Sequence, residues 1–171
     1  MIMKKLIILI LCISMAIVPI ACKKTENNDP PVNNIEGDAV FETYDRNGNR
    51  YDQNIFAESK LTLINFWEPW CPPCVGEMPD LEKVYEEYKE KGLNIIGVYS
   101  SFDMENDVDS VLDEAGTTYL ILKYTEAFDK FQTGYVPTSV FINDKGEVVG
   151  ETVIGSMSYE EWANKIEDLL K

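Results

Sequence analysis

The sequence predicts an α/β fold, and three observations carry that prediction. The apolar run Leu61-Thr62-Leu63-Ile64-Asn65-Phe66 and the apolar run Leu93 to Ser100 flank an amphipathic helical pattern. Strand, helix and strand in that order form a crossover unit, which implies parallel pairing. Further on, Ser139 to Ile142 and Glu147 to Val153 are strand-like runs either side of the turn Asn143-Asp144-Lys145-Gly146, and a short turn implies antiparallel pairing. Last, Ser158 can cap a helix from Tyr159 to Leu170, with Trp162, Ile166, Leu169 and Leu170 facing inward. Parallel and antiparallel neighbours with helices between them give a mixed central sheet flanked by helices.

The remaining elements follow in chain order. Ala39 to Tyr44 alternates as a strand, and Asp45-Arg46-Asn47-Gly48-Asn49 is a turn with Asn-Gly as its hairpin signal. A calcium loop starting at Asp45 fails, because Arg50 stands where its glycine is needed and Phe56 where its glutamate is needed. Tyr51 to Ser59 is a short connection of no evident form. From Cys74 to Lys89, Met78, Leu81, Val84, Tyr85 and Tyr88 mark one helix face. Pro79 falls inside that helix and should kink it, and Gly92 ends it. Glu105 to Ala115 reads as an acidic helix with Val108, Val111 and Leu112 inward. Tyr119 to Leu122 reads as a short strand, and Glu126 to Phe131 as a short helix.

Composition narrows the function. The chain has 171 residues, a formal charge of -15 and no histidine. A basic face for phosphate is lacking, so nucleic acid is not an expected partner. Histidine base catalysis and histidine metal sites are excluded. Of four cysteines, Cys12 and Cys22 belong to the N-terminal run, and Cys71 and Cys74 to the folded part.

Residues 1–21 read as an export signal. Lys4 and Lys5 form its charged start, and Leu6 to Val18 an apolar stretch short for a membrane span. Ala21 before Cys22 is similar to the processing site of bacterial lipoproteins, in which the cysteine is acylated, although Pro19 stands where an aliphatic residue is usual. A cleaved secretory signal with an incidental cysteine is the alternative. Residues 22–34 are polar, proline-bearing and without periodicity, as a tether would be. Residues 35–171 form the expected domain. The acid excess reads as a solvated surface.

The chemistry centres on Trp67-Glu68-Pro69-Trp70-Cys71-Pro72-Pro73-Cys74. The first turn of a helix holds two cysteines of this spacing within bonding distance. The first sulfur then lies at a helix N-terminus, where free N–H groups favour a thiolate. Four separated features together are similar to those of the thioredoxin superfamily: this motif, Pro79, the Val136-Pro137-Thr138 segment, and the strand–helix segment between Tyr99 and Gly134. The stretch from about Ile35 to Lys171 resembles its membrane-tethered thiol–disulfide oxidoreductases of the TlpA/ResA type. The resemblance implies a thioredoxin-like fold with an N-terminal β extension and a strand–helix insert. It implies a cis bond before Pro137, and Glu77 as the proton-carrying residue. The buried aspartate of plain thioredoxin would fall at Asn65, which cannot accept a proton.

On this reading Cys71 attacks, as the exposed residue of the pair, and Cys74 resolves. Trp70 and Tyr135 rim the site, and Val136 and Pro137 receive an extended substrate segment. Glu68 is expected to point to solvent. Pro72 and Pro73 carry no N–H, and Glu68 and Glu77 add negative potential. These features disfavour a Cys71 thiolate and so favour a reductant. No cofactor and no metal is expected, since a zinc site would need two further ligands. The implied function is an extracytoplasmic, lipid-anchored disulfide reductase, monomeric, acting on envelope proteins such as apocytochrome c. A membrane electron-transfer protein would supply it. The alternatives are a disulfide donor or isomerase, a peroxide-scavenging thiol enzyme, and a non-catalytic tethered module with a structural disulfide.

Overall fold

The structure is a computed structural model that describes residues 39–171. The export signal, the Cys22 acylation site, the whole tether and the first four residues of the expected domain, 35–38, lie outside the described residues. A five-stranded sheet forms the centre, in the order β5-β4-β3-β6-β7. Its strands are β3 (Leu61–Phe66), β4 (Leu93–Tyr99), β5 (Leu120–Lys123), β6 (Thr138–Asn143) and β7 (Val148–Ile154). Strands β3, β4 and β5 are parallel, whereas β6 and β7 run antiparallel to their neighbours. The sheet is therefore mixed, as the crossover and the hairpin predict. Before it, β1 (Glu42–Tyr44) and β2 (Arg50–Asp52) form a two-stranded antiparallel extension.

Three helices follow the same plan: α1 (Pro72–Tyr88), α2 (Glu105–Ala115) and α3 (Tyr159–Leu169). Helix α1 joins β3 to β4, the crossover that makes them parallel. Within the insert α2 precedes β5, which adds to the sheet beside β4. The connection of unassigned form after Tyr51 consists of β2 and a 3-10 segment, Gln53–Glu58. Asp52 caps that segment by accepting the Asn54 N–H at 2.9 Å. Glu126–Phe131 is also 3-10 helical. Leu169 and Leu170, expected inward, are only partly buried at the chain end.

Alternation along β3 divides the core between the two faces of the sheet. Leu61 and Leu63 pack with Met78, Leu81 and Val84 of α1, and with Trp162 and Ile166 of α3. Ile64 and Phe66 pack on the opposite face with Phe56, Phe128 and Leu122. This parity places Asn65 on the α1 face. The turn after β1 ends in its own satisfied network: Asp45 accepts the N–H groups of Asn47 and Asn49, both at 2.8 Å, and the Asn49 side-chain amide. Its carboxylate is spent on the loop.

Candidate active site

The site forms where β3 runs into α1. Cys71 is the N-cap of α1 and Pro72 and Pro73 open the helix, where a missing N–H costs nothing to the helix itself. Cys71 and Cys74 are joined, Sγ to Sγ, at 2.03 Å. Because two prolines remove the first donors, the Cys74 N–H is the one that reaches the Cys71 sulfur, at 3.3 Å. The Val136–Pro137 peptide is cis, and the Val136 carbonyl oxygen lies 3.7 Å from Cys71 Sγ. Residues 65 positions apart thus meet at one sulfur.

Two expectations need correction. Cys71, expected to be exposed, is 4% exposed in the disulfide form, against 0% for Cys74. It is still the outer of the two, but the Val136–Pro137 loop lies against it. The surrounding surface is open: Pro72 and Pro73 are exposed, Trp70 is 59% exposed and Tyr135 69%. Glu68, expected in solvent, is buried. Its Oε1 accepts the Ser100 N–H at 2.9 Å and the Ser100 hydroxyl, and its Oε2 accepts the Ser101 N–H at 3.1 Å. The reason is register. Phe66 is the partner of Val98 in the parallel β3–β4 pair, so residue 68 emerges beside residue 100. The free N–H groups that follow β4 need an acceptor there.

Glu77 lies on the buried face of α1, one turn beyond Cys74. Asn65 Nδ2 donates to its Oε1 at 3.0 Å and the Met157 N–H to its Oε2 at 3.1 Å. Asn65 Nδ2 also donates to Ser139 Oγ at 3.0 Å, across the β3–β6 pair in which the two residues are partners. Burial pushes the Glu77 carboxyl up to about 7, and the donors at Met157 and Asn65 oppose that shift without cancelling it. A carboxyl raised to near neutrality one helical turn from Cys74 is of the kind that can carry a proton at working pH. Ser139, Met157, Ser100 and Ser101 were not singled out in the sequence. Only the strand pairings and the approach of the 157 loop bring them to the site.

On the sheet face opposite Glu77, a cleft of about 350 Å³ opens beside the motif. It is lined by Phe66, Glu68, Trp70, Tyr124, Tyr135 and Val136, among others. The rim residues Trp70 and Tyr135 therefore flank one cavity that ends at the loop contacting Cys71.

Residues 31–160 match the family model described as Redoxin. The chain belongs to the Redoxin family. Among relatives of this Redoxin-family protein, the thiol-disulfide oxidoreductase ResA of Oceanobacillus iheyensis is 37% identical over 114 residues, covering 66% of this chain and 58% of the relative. ResA of Halalkalibacterium halodurans is 36% identical over 116 residues, covering 67% of this chain and 64% of the relative. The chain thus spans only 58% and 64% of the length of these curated relatives. Solved structures share its fold. A thioredoxin-family thiol:disulfide interchange protein from Chlorobium tepidum TLS aligns with TM-score 0.67 and 24% identity, covering 78% of this chain and 94% of that one. StoA from Bacillus subtilis aligns with TM-score 0.60 and 25% identity, covering 74% and 95%. Together with the ResA similarity, these place the protein among TlpA/ResA-like members of the thioredoxin superfamily.

Proposed function

We propose that this Redoxin-family protein is a thiol–disulfide oxidoreductase working as a reductant outside the cytoplasm. One observation carries the reading: a Cys71–Cys74 pair at the start of α1, its outer sulfur 3.7 Å from the Val136 carbonyl. The dithiol form begins the cycle, and Cys71 releases its proton to solvent, from which the first substrate thiolate is later protonated. The Cys71 thiolate attacks one sulfur of a substrate disulfide, a new S–S bond forms, and one substrate thiolate leaves. Glu77 takes the Cys74 proton. The Cys74 thiolate then attacks Cys71 Sγ, the mixed disulfide breaks, and the second substrate thiolate leaves. The substrate gains two electrons and two protons, and Cys71–Cys74 becomes the disulfide. An extended substrate segment lies along Val136 and Pro137, with Trp70 and Tyr135 at its sides.

Similarity to ResA supports oxidised envelope proteins as substrates, with apocytochrome c thiols awaiting haem as the leading candidate. A membrane protein carrying electrons from the cytoplasm would regenerate the dithiol. A lipid at Cys22 would hold the chain at the membrane, with residues 22–34 as tether to the domain. The two helix-opening prolines leave the Cys71 thiolate few donors. Its equilibrium potential is therefore expected near that of thioredoxin, roughly -270 mV, and far from the strong oxidant DsbA at about -120 mV. Insulin reduction tests the activity. Wild type turns over, whereas Cys74→Ser does not and accumulates a mixed disulfide through Cys71. No turnover in either form, or a potential close to the DsbA value, would refute the reductase.

A further inference from the structure

We infer that Glu68 is a positioning residue for the exchange site, holding both Cys71 and the Trp70 wall of the substrate cleft through one buried carboxylate. The inference rests on the exchange reading above and concerns how the peptide substrate is held. Glu68 acts along two routes. Its own carbonyl accepts the Cys71 N–H at 3.0 Å, closing the tight turn that sets Cys71 at the start of α1. Its carboxylate binds that turn to the end of β4 through Ser100 and Ser101. Ser101 then passes the constraint outward, for its Oγ accepts the Trp70 indole N–H at 3.0 Å.

The chain Glu68, Ser101, Trp70 accounts for how a ring that is 59% exposed can serve as a wall. An exposed indole on a loop samples several rotamers, and ordering it on binding costs affinity. A hydrogen bond from its N–H to a serine fixed by a buried carboxylate orders it in advance. Shorter residues at position 68 would not span from the end of β3 to the N–H groups beyond β4. An asparagine or serine there would leave at least one of those donors without its partner.

The test compares a protein disulfide with one too small to use the wall. Full-length protein, reduced to the dithiol, is assayed with insulin and with hydroxyethyl disulfide. Ser101→Ala removes the link to the indole and leaves the Glu68 side chain in place. It should raise the insulin KM about five-fold, the effect of one hydrogen bond. The insulin loss should exceed any loss on the small disulfide. Glu68→Ala, with its fold checked by circular dichroism, keeps the main-chain bond to Cys71 but should raise the insulin KM about ten-fold or more and also slow the small disulfide, because the turn that carries Cys71 loses its tie to the end of β4. Glu68→Gln should recover part of the loss. The double variant Glu68→Ala/Ser101→Ala should be no worse than Glu68→Ala, since the two act in one chain. An insulin KM for Ser101→Ala within two-fold of wild type, equal losses on both disulfides, or additive losses in the double variant would overturn the inference. A wild-type protein that reduces neither disulfide would instead sink the exchange reading, and this inference with it.

Discussion

Two buried carboxylates flank the disulfide on opposite faces of the sheet, and they are built differently. Glu68 is held by three donors from consecutive residues at the end of β4. Glu77 has two donors, one a side-chain amide that it shares with Ser139, the other an N–H from a loop 80 residues away. Both are nearly inaccessible, at 6% and 3% exposure. Burial alone therefore does not say what a carboxylate is for. One is bound into the main chain and serves as a fixed anchor. The other is left with its carboxyl near 7, where it can lose and regain a proton at working pH.

The sharpest way to break this contrast is Glu77→Gln. The amide keeps the shape and loses the proton, so turnover should fall by about 10²–10⁴-fold, the range for a positioned acid–base group. Steady-state insulin reduction measures it, and a fall of less than three-fold would reduce Glu77 to a structural role. The pH profile of turnover should also show an inflection near 7 in wild type that flattens in the variant.

Stability against pH tests the same residue independently of the sulfurs. In the unfolded chain Glu77 titrates at about 4.5, and in the folded protein at about 7. Between those values the folded state holds a proton that the unfolded state has released. The stabilisation is present in full below 4.5 and is lost as pH rises through 7. The unfolding free energy of wild type should therefore drop by about 3 kcal/mol across that window relative to Glu77→Gln. Urea unfolding of both proteins at pH 4.5 and 7.5 checks it, and parallel curves would contradict the assignment.

The smallest expected effect is at Asn65. Asn65→Ala removes one of the two donors to Glu77 and a bond to Ser139, and should cost about 1–3 kcal/mol in urea unfolding. It should also move the turnover inflection to higher pH, since a donor that favours the charged form is gone. An inflection that stays in place would show that Asn65 does not tune Glu77.

How far the sequence could be read follows from which interactions are local. The apolar runs at Leu61 and Leu93, the Asn143–Gly146 turn and the Ser158 cap each carry their signal within a few residues, and each becomes the expected element. Cys71 caps the helix that carries Cys74 and Pro79, so their spacing was informative. Glu68 was misread because its surroundings depend on a register. A glutamate among Trp67, Pro69 and Trp70 looks solvent-directed until β3 and β4 pair and bring Ser100 beside it. The family resemblance placed the Val136–Pro137 loop opposite the pair, but how far that loop, 65 positions downstream, covers Cys71 is not written in the local sequence. Tyr51 to Ser59 gave no readable pattern because β2 is three residues long and gains its order from β1.

The Met157 N–H that meets Glu77 lies immediately before Ser158, whose capping box with Glu161 starts α3. The last helix thus begins at an atom that senses the charge on residue 77. An amide resonance at position 157 becomes a built-in indicator. Followed through a titration, it reports when the carboxylate is occupied, in a part of the chain that no thiol reagent touches.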